Sequence, residues 1–182
     1  MTDARVGQKP GKSGRTWNIG VISDTHGLLR PEALAALGGS DYIIHAGDVG
    51  NREILKKLQS IAPVTTVRGN VDIERWAQEL PLTNILEVGG LTLYVLHHVE
   101  QLDLNPQRAG FAAVIYGHSH KPDRQVRNGV LYFNPGSAGP RRFTLPVTVG
   151  RLHISAAKLE AEIISLDVAR AGARAFGDGA AK

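Results

Sequence analysis

The chain of 182 residues contains no cysteine. Disulfides and thiolate metal sites are thereby excluded, and any metal must be held by nitrogen and oxygen donors. No apolar run approaches the roughly 20 residues needed to cross a bilayer as a helix. The opening stretch MTDARVGQKPGKSGR is basic at its start but has no apolar segment behind it, so it does not read as a secretory signal. The expectation is a cytoplasmic protein with no membrane partner. A phosphate loop is missing too. GQKPGKS, Gly7 to Ser13, is one residue short of the G-x-x-x-x-G-K-S spacing, with no strand before it and no helix after it. No internal repeat of useful length is visible.

What is present is ordinary for a globular protein: 42% hydrophobic and 21% charged residues. The length suits one core, so we expect a single domain over 17–168 between a flexible basic tail at 1–16 and a flexible tail at 169–182. The net charge of +4 would admit an anionic partner. Several of its cations lie near the chain ends (Arg5, Lys9, Lys12, Arg15, Arg170, Arg174, Lys182), which favours solvated tails over a nucleic-acid surface.

From Trp17 onward, short apolar runs alternate with polar corners. TWNIGVIS, DYIIHA and APVTTVRG read as strands, separated by the helical RPEALAALGG and the amphipathic NREILKKLQS. Strand, helix, strand, helix, strand is the order of a parallel sheet with crossover helices. Later, LTNILEV and LTLYVLH flank Gly89-Gly90, and QVRN and VLYFN meet at Asn128-Gly129; both are hairpin signals. AAVIYG reads as a buried strand between them, and PVTVGRLHIS and AKLEAEIISL close the domain. The expected object is α/β: two sheets packed together with helices outside.

In open α/β sheets, ligand sites form beyond the carboxyl ends of the strands. Here the first run ends in Asp24-Thr25-His26, the second in Asp48 and the third in Asn70. Later runs end in His97-His98 and in His118-Ser119-His120. Taken singly, each is common turn chemistry or a surface histidine. Falling at successive strand ends, they form a set of oxygen and imidazole donors sufficient for two neighbouring metals if one aspartate is shared. The absence of an all-oxygen set argues against a calcium cage, and manganese, iron, zinc, cobalt and nickel all satisfy the donors.

These segments resemble the calcineurin-like metallophosphoesterases, in particular their small bacterial and archaeal phosphodiesterase branch. The resemblance rests on SDTHG (23–27), HAGDVGN (45–51), VRGNVD (67–72), the strand-ending His97, YGHSHKP (116–122) and FNPGS (133–137). It implies a four-layer αββα sandwich of two mixed sheets flanked by helices. It also implies one metal on Asp24, His26 and His120, a second on Asn70, His97 and His118, and Asp48 bridging the two. Two departures stand out. Relatives among the larger phosphatases follow Gly-Asn with histidine, whereas this chain has GNVD, which brings in Asp72 as an orienting residue. Relatives commonly carry glycine after the ligand histidine, whereas here His98 follows His97 and is the alternative ligand.

Two cations roughly 3.5–4 Å apart share and acidify a water and neutralise phosphoryl oxygens, so no protein nucleophile is needed. The implied activity is divalent-metal-dependent hydrolysis of a small-molecule phosphodiester, with His98 or a metal-bound water as candidate acid for the leaving group and Asp72 as an orienting residue. Esters with good leaving groups are expected to react fastest. Two alternatives differ in class. A nuclease would need the basic residues, including Arg141 and Arg142, on one surface. A scaffold would keep the fold without catalysis, as in the retromer subunit that resembles this family but lacks one ligand histidine; here every ligand position is filled. Asn51 reads as a helix cap or a substrate contact, and His45 as an interior histidine.

Overall fold

The computed structural model describes residues 15–168. The expected tails, apart from Arg15 and Thr16, and the GQKPGKS stretch lie outside the described residues.

Three strands, β1 (Trp17–Ile22), β2 (Tyr42–His45) and β3 (Val64–Thr66), run parallel, joined by α1 (Pro31–Leu37) and α2 (Arg52–Gln59). Proline in the first turn of α1 costs no hydrogen bond, since the N–H it lacks would be unpaired there. Asn51 caps α2, its side chain accepting from Glu53 N at 2.8 Å. A last hairpin, β9 (Thr148–Ser155) and β10 (Lys158–Ser165), completes this sheet in the order β10-β9-β1-β2-β3. The second sheet contains β4 (Thr83–Val88), β5 (Leu91–Leu96), β6 (Ala113–Ile115), β7 (Asp123–Arg127) and β8 (Val130–Asn134), in the order β4-β5-β6-β8-β7. Its central strands β5, β6 and β8 are parallel, and both edges are antiparallel hairpins. The turns fall at Gly89-Gly90 and Asn128-Gly129, where all four residues have positive φ, as tight hairpins of this kind require.

The sheets pack face to face. Alternation along β1 sends Ile19 and Val21 into the layer between them, against Leu93, Val95, Ile115 and Phe133, and sends Ile22 to the opposite face against the helices. Each fully buried aliphatic side chain contributes about 1.5–3 kcal/mol relative to exposure. Among the described residues, the helices cover one sheet only. The outer face of the other, including Tyr94, Val114 and Tyr116, is covered by Val99, Leu102, Leu104 and Phe111 from a loop holding one short 3-10 turn. Pro106 and Gly110 keep that segment from forming a helix. The sandwich therefore has its four layers, the fourth being loop in place of helix.

Candidate metal centre

Because β1, β2 and β3 are parallel neighbours, their carboxyl ends share one edge, and the ends of β5 and β6 open toward it from the facing sheet. The loop after β1 continues beside the loop after β2: Asp24 N donates to Gly47 O (3.0 Å), His26 N to Asp48 O (2.9 Å) and Gly27 N to Val49 O (2.9 Å). In these loops Asp24, His26, Asp48, His118 and His120 all have positive φ, between 45° and 68°. Left-handed backbone costs a non-glycine residue energy and is concentrated at functional sites. Close approach matters at Gly69 and Gly117. A Cβ on the first would collide with Asp48, and one on the second with Ser23 and Asp24.

All seven expected ligands converge. Asp24 Oδ1 lies 3.4 Å from His120 Nε2 and 3.9 Å from His26 Nε2, and those two nitrogens are 3.2 Å apart. Asp48 Oδ2 lies 3.7 Å from His26 Nε2 and 3.3 Å from His97 Nε2. Asn70 Oδ1 is 3.2 Å from His97 Nε2 and 3.0 Å from His118 Nδ1. Two triads have donor atoms within 4.8 Å of one another: Asp24, His26, His120 and Asp24, Asp48, His97. Asp24 is common to both, while Asp48 Oδ2 stands between a histidine of each expected set.

The donors fit a divalent cation. Asp24 is fully buried; Oδ2 accepts from His118 N (3.2 Å), but Oδ1 has no hydrogen-bond donor although it faces two imidazoles. Burial pushes the Asp24 carboxyl up to about 6, against the pull of the Ser23 hydroxyl and His97. Burial also lowers His120 to about 4, with the Arg142 charge adding to it, and lowers His26 and His118, so their rings are held neutral. Burial opposes charge on Asp48 and His97 as well. For this pair the mutual hydrogen bond and opposite charges outweigh it, holding the carboxyl low and the imidazole high. His97 Nδ1–H donates to Ala46 O at 2.7 Å, which leaves Nε2 for the cluster. Asp24 Oδ1 is a buried carboxylate oxygen without a donor, and the two imidazoles it faces, His26 and His120, are both disfavoured from carrying charge. A bound cation would supply the positive charge that this oxygen lacks.

The choice between His97 and His98 follows from alternation. Leu93 and Val95 face the other sheet while Tyr94 and Leu96 face outward, so His97 turns inward. His98 lies outside the cluster, its ring centroid 3.9 Å from that of His118 and its Nδ1 2.7 Å from Glu100 Oε2. Asp72 is buried and accepts three backbone N–H groups: Val49 (3.1 Å), Gly50 (2.8 Å) and Gly69 (2.9 Å). Both oxygens are thus committed to the loops that carry Asp48 and Asn70. His45 is fully buried beneath the site, Nε2 being 2.9 Å from Thr25 Oγ1, and burial lowers it to about 3. His153 pairs with Asn18 away from the cluster. Arg141 and Arg142 are exposed, the latter near enough for its charge to act on His26 and His120. Sequence reasoning missed Asn134, which ends β8 and donates to Gly117 O (2.8 Å) and Ser119 Oγ (3.1 Å), bracing the His118–His120 loop. The strand-end rule applied to VLYFN would have found it.

Two packed mixed sheets with an Asp/His/Asn cluster at their carboxyl edge define a metallophosphoesterase-like sandwich. The chain belongs to the calcineurin-like phosphoesterase superfamily, whose domain model matches residues 17–157. It is 35% identical over 158 residues to a probable metallophosphoesterase of Methanothermobacter thermautotrophicus, covering 80% of this chain and 91% of that protein. A solved archaeal phosphodiesterase superposes with TM-score 0.68 at 26% identity, over 82% of this chain and 99% of the other. Vps29 of Entamoeba histolytica, solved in complex with zinc, shares the fold at TM-score 0.61 and 18% identity, over 81% and 98% of the respective chains.

Proposed function

We propose that this protein is a divalent-metal-dependent phosphodiesterase acting on a small-molecule diester, within a single domain over 17–168. The observation that carries the reading is the convergence of seven oxygen and nitrogen donors from five strand ends around the unpartnered Asp24 Oδ1. Kinship with a solved archaeal phosphodiesterase supports the diester.

In this proposal Asp24, His26 and His120 would hold one cation and Asn70, His97 and His118 the other, with Asp48 shared between them. Manganese is the favoured occupant. When bound, the cations supply Lewis acidity to the phosphoryl oxygens and acidify the attacking water. Ala46 O fixes the His97 tautomer, and Asp72 fixes the spacing of the Asp48 and Asn70 loops. Burial of Asp24 and Asp48 keeps bulk water from competing for their oxygens. His98 lies at the rim with Nδ1 2.7 Å from Glu100 Oε2, so Nε2 would pass a proton to a leaving oxygen only from the doubly protonated ring.

The test pairs elemental analysis of manganese-equilibrated protein with hydrolysis of bis(p-nitrophenyl) phosphate. About two metal equivalents and EDTA-sensitive turnover are expected, both lost in Asp48→Asn. A protein that binds no metal and cleaves no diester overturns the reading. Binding of oligonucleotides that weakens steeply with salt would point to the nuclease instead.

A further inference from the structure

A cavity of about 360 Å³ opens directly off the metal cluster, sharing Asn70 and His97 with it. It falls within the range of small-ligand pockets, roughly 300–1,000 Å³. Its walls are of two kinds. Ile73 and Leu82 present apolar surface to solvent, with 78% and 62% of their area exposed. Polar groups share the lining with them, of which Arg68 is the most telling.

The Arg68 backbone is anchored by N donating to Pro81 O (2.8 Å), and its guanidinium donates through Nη1 to Gln78 Oε1 (2.5 Å). Gln78 is itself fixed, its Nε2 donating to Ile73 O at 3.2 Å. This relay places the guanidinium at the cavity wall. Among the described residues, the arginine salt bridges are those of Arg15 with Asp41 and Arg52 with Glu79, so no carboxylate neutralises Arg68. A half-buried, pre-positioned guanidinium with four N–H donors left over is built to receive acceptor atoms on a planar edge. Exposed aliphatic side chains beside it are built to cover a ring face.

Resting on the phosphodiesterase reading, we infer that this cavity seats one ester arm of the substrate and that this arm is a nucleoside. The base lies against Ile73 and Leu82, its acceptor edge meets Arg68, and the attached phosphate reaches Asn70 and His97. A small alkyl arm would leave both the apolar walls and Arg68 without a partner.

Two measurements test this independently of the metal reaction. In EDTA, saturation-transfer NMR with thymidine 5′-monophosphate should show transfer to the base protons, and Arg68→Met and Ile73→Asp should each abolish most of it. Ile73 is surface-exposed, so the second variant guards against misfolding of the first. With manganese, either substitution should raise KM for thymidine 5′-(p-nitrophenyl phosphate) about tenfold more than KM for methyl p-nitrophenyl phosphate. Absence of transfer in the wild type, or equal effects on both esters, overturns the nucleoside assignment while leaving the phosphodiesterase reading standing. Cleavage of neither ester by the wild type defeats that reading, and the metal-free binding result then still judges the cavity.

Discussion

Asp24 is buried with Oδ1 unpartnered and its carboxyl pushed up to about 6. In the metal-free protein this ionised group is a cost, and the sign of its linkage is fixed. The folded value exceeds the ordinary 3.8, so its favourable contribution is complete below that value and is lost as pH rises through about 6. Asparagine removes the charge, tolerates the left-handed backbone at φ 54°, and keeps an oxygen for the His118 N–H. Asp24→Asn is therefore expected to stabilise the EDTA-treated protein by up to about 3 kcal/mol above pH 6, with the gain vanishing near the ordinary carboxyl value. The same substitution should abolish metal binding. Urea unfolding across that pH window, in EDTA, checks it. A variant less stable than the wild type at neutral pH would show that Asp24 is held by contacts other than those described.

Between elements, Asp72 ties the β2 and β3 loops together through three N–H groups that have no other acceptor of comparable geometry. Asp72→Ala strands those donors and frees two loops that each carry an expected ligand, so a loss of about 2–4 kcal/mol of stability and a 10–100-fold weaker hold on manganese are expected, about as for other residues that orient ligands. The dependence of rate on leaving-group pKa should not change, because both Asp72 oxygens face backbone. A flattened dependence would instead make Asp72 a participant in proton transfer. At this scale much was legible from the chain. Strands, hairpins and the polar residues at strand ends follow from period-two alternation and from glycine at the turns. The Asp72 clamp was not, since its donors lie up to 23 residues away and become neighbours only when β2 and β3 align. Nor was the loop over the second sheet legible in detail, because Val99, Leu102, Leu104 and Phe111 follow no single period. The left-handed backbone at the ligand positions was equally hidden, since it is imposed by bonds between two loops.

For the molecule as a whole, the two sheets meet through a buried, largely aliphatic layer, and the donor set spans the same junction. Asp24, His26, Asp48 and Asn70 follow strands of one sheet, whereas His97, His118 and His120 follow strands of the other. A cation held by both groups is then a cross-link between sheets, formed only in the folded state, so its binding free energy adds to global stability. With free manganese at about a hundred times its Kd the gain is about 2.7 kcal/mol, which for a domain of this size raises Tm by about 5–10 °C. EDTA should reverse the shift, and Asp48→Asn should remove it. Hydrogen exchange distinguishes a cross-link from binding to one loop. The amides of Asp24, His26 and Val49 in one sheet's loops and of Gly117 and His118 in the other's should gain protection together when metal is added. Protection confined to either group would mean that the ions attach to a single sheet, and the mixed ligand sets proposed for the two cations would fall with it.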